Sequence, residues 1–94
     1  MHYVYIIKSL IDNSFYIGQT SNLNERLRIH NSKEENHGVT KRKIPWDIFY
    51  TIEVENSTIA IKIEQHIKKM KSRNYIKNLK KYPEMGQKLI EKYS

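Results

Sequence analysis

Four side chains in the first third of this chain have the types that phosphate chemistry uses. They are Tyr5, Tyr16, Arg26 and His30. A phenol bonds or moves a proton, a guanidinium clamps a phosphate through a fixed fork of donors, and an imidazole titrates near neutrality. Arg26 and His30 stand four apart, so a helix stacks them on one face. The two tyrosines sit in separate apolar runs, Tyr3-Val4-Tyr5-Ile6-Ile7 and Phe15-Tyr16-Ile17-Gly18. If those runs are strands and the arginine and histidine share a helix, all four can reach one wall.

The elements needed for that arrangement are legible. Residues 2–9 and 15–20 read as strands rich in Tyr, Val and Ile, joined at the turn former Asp12-Asn13-Ser14. Alternation puts Tyr3, Tyr5 and Ile7 on one face and His2, Val4 and Ile6 on the other. Both faces carry apolar groups, so the hairpin is expected to be covered on both sides. Gly18 lets another group approach the backbone closely, or bends the strand. Thr20, Ser21 or Asn22 caps a first helix running to about residue 31, with Glu25 placed as in a capping box and Leu23 and Leu27 as its apolar stripe.

Residues 31–45 are mostly polar and read as an exposed loop ending in Lys41-Arg42-Lys43, closed by Pro45. A third strand spans 46–53, with Trp46, Ile48, Tyr50 and Ile52 on one side and Asp47, Phe49, Thr51 and Glu53 on the other. Trp46 reads as core. A second helix, about 58–72, is capped by Asn56 or Ser57 and carries Ile59, Ala60, Ile63, Ile67 and Met70 on one stripe. Glu64 lies on the margin of that stripe and His66 on the opposite margin. His37 and His66 read as surface residues. A short helix over 75–81 and a last one from Pro83 through residue 93 complete the order ββαβαα, with a further α at the end. The expected class is a mixed α/β domain of the α+β type, one domain over 1–94, with 82–94 as a C-terminal helical extension.

Seventeen Lys and Arg against ten Asp and Glu give a formal net charge of +7 on 94 residues. That excess points to a polyanionic partner, nucleic acid first, with solubility as the plainer explanation. Lys41, Arg42 and Lys43, and Lys69, Arg73 and Lys77 within the 68–81 tract, are the expected phosphate contacts. With no cysteine there is no disulfide and no thiolate metal site, so any metal is held by oxygen or imidazole. No apolar run approaches a membrane span and no signal peptide heads the chain, which predicts a soluble cytoplasmic protein.

Taken together, Tyr3-Val4-Tyr5, Tyr16-Ile17-Gly18 and Asn22-Leu23-x-x-Arg26-Leu27-x-x-His30 resemble the GIY-YIG nuclease superfamily. The likeness is to its small single-domain members, relatives of the nuclease half of a bacterial excision-repair subunit and of some homing endonucleases. It covers about residues 2–80, with eleven residues from Tyr5 to Tyr16 and ten from Tyr16 to Arg26.

The resemblance implies a three-stranded antiparallel sheet flanked by helices and hydrolysis of a phosphodiester assisted by one divalent metal, Mg²⁺ or Mn²⁺. It matches Tyr5 and Tyr16 to the motif tyrosines, Arg26 to the helix arginine, His30 to a position held by histidine or tyrosine, and Glu64 to the glutamate that holds the metal. The late asparagine of the family has two candidates, Asn74 and Asn78. Tyr3 replaces a frequent glycine, Gln19 stands where some relatives have lysine, and Val39 stands where small relatives often have tyrosine.

Singly, each residue has a plainer account. The tyrosines are core, Arg26 is solvated, and Glu64 pairs with Lys68 at i+4. Five such accounts holding in order is the less economical explanation. The expectation is a metal-dependent DNA endonuclease in repair or processing, structure-directed or weakly sequence-selective, acting as a monomer or weak homodimer, with RNA as another possible substrate. The alternatives are a non-catalytic nucleic-acid-binding module of the same fold and, behind it, an adaptor for an acidic protein.

Overall fold

The computed structural model describes all residues, Met1 to Ser94. Its order is β1 (His2–Ser9), β2 (Phe15–Thr20), α1 (Leu23–His30), a 3₁₀ turn (Val39–Lys43), β3 (Trp46–Val54), α2 (Ser57–Met70), α3 (Arg73–Lys81) and α4 (Pro83–Tyr93). The strands form one antiparallel sheet in the order β2-β1-β3. This is the α+β arrangement expected. No helix is long and apolar enough to cross a membrane.

β1 is central, and Val4, Tyr5, Ile6 and Ile7 are all buried, because helices cover both faces of the sheet. On one face Val4 and Ile6 pack with Ile52, Val54, Ile59, Ala60, Ile63, Ile67, Ile76, Leu79 and Leu89, under α2, α3 and α4. On the other, Tyr5, Ile7 and Trp46 pack with Tyr16, Leu23, Leu27, Ile44 and Ile48. Each large apolar side chain fully withdrawn from water contributes about 1.5–3 kcal/mol. The α2 side is therefore the main stabilising layer, and the α1 side is a thinner one on which polar side chains are mounted.

The caps of the first two helices fall on residues the sequence offered, while the capping box and the α2–α3 boundary differ. Asn22 is the α1 cap, accepting from the Glu25 N–H at 3.1 Å. The Glu25 carboxylate does not complete a capping box; it takes Arg28 at 2.7 Å instead. Asn56 caps α2. α2 ends at Met70, with Lys71 in the left-handed region, and Ser72 caps α3, which therefore starts at Arg73, not 75. Met70 is 45 % exposed, since the last turn of α2 ends beside that break.

The alternation expected for the third strand also fails. The register of β1 against β3 shifts between Ile6 and Ile7, so that Tyr50 faces Ile6 and Ile48 faces Ile7. This bulge puts Trp46 and Ile48 on the α1 side and Tyr50 and Ile52 on the α2 side.

The 31–45 loop is not simply exposed. Asn36 and Thr40 are buried, and the basic end is wound into the 3₁₀ turn. Asn31 fastens this segment to the sheet, donating to the Trp46 carbonyl at 2.9 Å and accepting from the Trp46 N–H.

Candidate active site

Pairing in the hairpin sets Tyr5 opposite Gly18 and Ile7 opposite Tyr16, so both tyrosines and Gly18 share the α1 face. The Tyr5 ring lies across the bare Gly18 backbone. A Cβ built there would stand 2.5 Å from the Tyr5 oxygen, so this is the close approach for which the glycine is needed. α1 brings Arg26 and His30, one turn apart, onto the same phenols. Ring centroids are 6.5 Å apart for Tyr5 and Tyr16, 5.7 Å for Tyr5 and His30, and 5.1 Å for Tyr16 and His30.

The Tyr5 hydroxyl is hydrogen-bonded to His30 Nε2 at 2.8 Å, and His30 Nδ1 to Thr40 Oγ1 at 2.8 Å. Asn36 Nδ2 donates to Thr40 Oγ1 at 2.7 Å and to the His30 carbonyl at 2.8 Å. The Trp46 indole N–H donates to the Thr40 carbonyl at 2.8 Å. Of these groups His30, Asn36 and Thr40 line a cleft of about 140 Å³ with Tyr16, Arg26, Glu35, His37 and Val39, among others, while Tyr5 and Trp46 are buried and do not line it.

Burial raises the Tyr5 hydroxyl above its ordinary pKa, and the adjacent Arg26 guanidinium offsets only part of that rise. Arg26 is itself held more firmly charged by the two phenols, Tyr5 above all. Burial and the Arg26 charge lower His30 to about 4, so the imidazole is neutral at physiological pH.

Glu64 does not line this cleft. It projects from α2, on the other face of the sheet, with its side chain 16 % exposed and Lys68 Nζ 2.8 Å away. β2 is an edge strand, so the two faces communicate around a single strand. The Glu64 charge is felt at Tyr5, where it opposes ionisation of the phenol. Nowhere do three His, Cys, Asp or Glu side chains gather as a metal-binding group. A lone carboxylate is nonetheless a workable donor set for Mg²⁺, which keeps several waters and takes one or two carboxylates plus phosphate oxygens. The Lys68 ammonium shows that a cation is accommodated against Glu64.

The expected phosphate contacts separate into free and engaged groups. Lys41 and Arg42 are exposed. Lys43 is half-buried, 3.2 Å from Asp12 and donating to Ser14 Oγ at 2.8 Å. Arg73 donates to the Asn13 carbonyl at 2.9 Å and covers the Phe15 ring. Lys77 is exposed on α3, and Lys69 lines a wide groove of about 690 Å³ between α2 and α4 with Lys62 and Lys92. That groove shares no residue with the tyrosine cleft, and none of its side chains is a carboxylate. Its floor includes His66, which is not a plain surface residue: it is half-buried and hydrogen-bonded to the Tyr93 hydroxyl at 2.8 Å. Asn74 and Asn78 are both exposed on α3, and neither reaches the cleft.

Comparison with known proteins matches residues 1–81 to the GIY-YIG catalytic domain. The chain belongs to that family. Its GIY-YIG region spans β1 through α3, and α4 follows it. The chain is 32% identical over 83 residues to a UPF0213 protein of Syntrophus aciditrophicus, covering 88% of this chain and 94% of that one. It is 35% identical over 71 residues to a UPF0213 protein of Oceanobacillus iheyensis, covering 73% of this chain and 78% of the relative. No solved structure matches it.

Sequence reasoning missed Asn36 and Thr40 in this GIY-YIG cleft. The available signal was weak: a polar segment holding an Asn-His-Gly turn former and a threonine ten residues after His30.

Proposed function

We propose that this GIY-YIG chain is a metal-dependent endonuclease that hydrolyses DNA phosphodiester bonds, with structure-directed or weakly sequence-selective cutting. The observation that carries the reading is the convergence of Tyr16, Arg26 and His30 on one cleft, with the buried Tyr5 hydroxyl bonded to His30, in a chain of this family.

The Tyr5 phenol first loses its proton to solvent, and the phenolate then takes a proton from the attacking water while the water oxygen bonds to phosphorus. The phosphorus bond to the leaving oxygen then breaks, and that oxygen is protonated from solvent. Arg26, exposed at the rim beside both phenols, neutralises charge developing on the phosphoryl oxygens. Tyr16 and His30 bracket the Tyr5 ring and hold its oxygen in place. Glu64 would hold the divalent ion, with Lys68 giving way to it. When bound, such an ion neutralises charge on the scissile phosphate and steadies the leaving oxygen. Lys41, Arg42, Lys69 and Lys77 would contact flanking phosphates and position the strand.

Labelled single-stranded, duplex and branched DNA, and RNA, incubated with Mg²⁺, Mn²⁺ or EDTA test this. Metal-dependent products from the parent are expected, strongest on branched substrates. The competing reading is a binding module without catalysis, for which the Glu64–Lys68 pair is simply a closed surface ion pair. Salt-sensitive binding without products from any substrate would favour it.

A further inference from the structure

The hydrogen bonds behind His30 form a chain whose direction is fixed from the backbone outward. Asn36 is buried, and its side-chain amide meets two backbone groups of known polarity. The Gly38 N–H can only donate, and it points at Asn36 Oδ1 at 2.9 Å. The His30 carbonyl can only accept, and it faces Asn36 Nδ2 at 2.8 Å. Flipping the amide would oppose like groups at both ends, so its orientation is set.

The second hydrogen of Asn36 Nδ2 is therefore directed at Thr40 Oγ1, 2.7 Å away. Thr40 is 3 % exposed, and its hydroxyl has only one other partner, His30 Nδ1 at 2.8 Å. A buried hydroxyl hydrogen left without an acceptor is costly. Having accepted from Asn36, Thr40 donates to Nδ1. The neutral ring then carries its proton on Nε2, which faces the Tyr5 oxygen at 2.8 Å.

We propose that Asn36 and Thr40 are positioning residues that fix His30 as the Nε2–H tautomer, so that the imidazole donates to Tyr5 and cannot take its proton. His30 is then a hydrogen-bond donor that stabilises the Tyr5 phenolate. Burial, and after it the Arg26 charge one turn away, keeps the ring from becoming imidazolium, which preserves the one-donor, one-acceptor pattern. The catalytic consequence rests on the nuclease reading above; the tautomer itself does not.

Multiple-bond ¹⁵N–¹H correlation spectra of the imidazoles, recorded at neutral pH on the full chain, read the tautomer directly. A pyrrole-type Nε2 and a pyridine-type Nδ1 are expected for His30, whose signals are assigned by their loss in His30→Gln. The reverse pattern in the parent overturns the proposal, and this outcome needs no variant to fold.

Asn36→Asp replaces the donor facing Thr40 by an acceptor. The chain should invert, moving the proton to Nδ1; an unchanged Nε2–H spectrum in a folded Asn36→Asp protein also overturns it. In the cleavage assay Thr40→Val should lower the rate about 10- to 100-fold, the loss usual for an orienting partner behind a functional imidazole, and Thr40→Ser should recover most of it. If the parent shows the Nε2–H tautomer yet cuts nothing, the nuclease reading fails and the relay stands.

Discussion

Tyr5 and Gly18 occupy one another's space. The phenol crosses the neighbouring strand at the position where every other residue carries a Cβ, with its oxygen 2.5 Å from where that atom would lie. The site is thus built on a missing side chain in an edge strand. Gly18→Ala should displace the Tyr5 hydroxyl and strain the α1 face, at a cost of about 1–3 kcal/mol. Thermal unfolding would show the lowered midpoint. Cleavage should fall about 10²-fold if the hydroxyl moves by about 1 Å, whereas parental cleavage by Gly18→Ala would mean that Tyr5 is not needed where it is.

Arg26 is exposed at the cleft mouth and bonded to no carboxylate, unlike Arg28, which is taken up by Glu25 and Glu35. Arg26→Ala should lower kcat about 10²–10³-fold while leaving salt-dependent DNA binding nearly intact. Arg26→Lys should recover only part of this, since an ammonium lacks the planar fork. Steady-state kinetics separate the two parameters, and a purely KM-type defect would reassign Arg26 to strand binding.

His30 gives the stability an acid limb. Its folded pKa, about 4, lies below its unfolded value near 6.5. The unfolded chain therefore binds more protons between these values, and stability falls as pH falls through that window. The slope approaches about 1.4 kcal/mol per pH unit. Urea unfolding of the parent and of His30→Gln from pH 7.5 to 4 measures it. The variant should lose this part of the slope; identical slopes would show that the ring is solvated.

Among the basic residues, Lys41 and Arg42 are free, and Lys43 is bound to Asp12 and Ser14. Substituting Lys41 or Arg42 by Ala should reduce the salt dependence of duplex binding by about 0.9 in log–log slope for each phosphate that is no longer neutralised. Lys43→Ala should change that slope least. Titrations at several salt concentrations compare the three directly.

The tyrosines, Arg26 and His30 could be read because regular elements place them: period two on paired strands and period four on a capped helix. Glu64 was legible as a helix-margin residue, but its absence from the cleft lining was not, because which face α2 covers is decided by the whole sheet. Asn36 and Thr40 sit in a stretch with no period, where burial comes from bonds to His30 and not from apolar pattern. The β3 bulge was invisible for the opposite reason: Trp46, Ile48, Tyr50 and Ile52 alternate cleanly in sequence, and the slip against β1 is the only sign that the face changes. His66 was misread because its partner Tyr93 lies 27 residues on, in α4.

The most direct test of the account is cleavage of labelled branched DNA in Mg²⁺ by the parent and by Glu64→Ala, side by side, with circular dichroism to confirm that both are folded. The account predicts products from the parent that EDTA abolishes, and none above background from Glu64→Ala. Equal, metal-dependent cutting by both proteins would contradict it, since the only carboxylate assigned to hold the ion would then be dispensable.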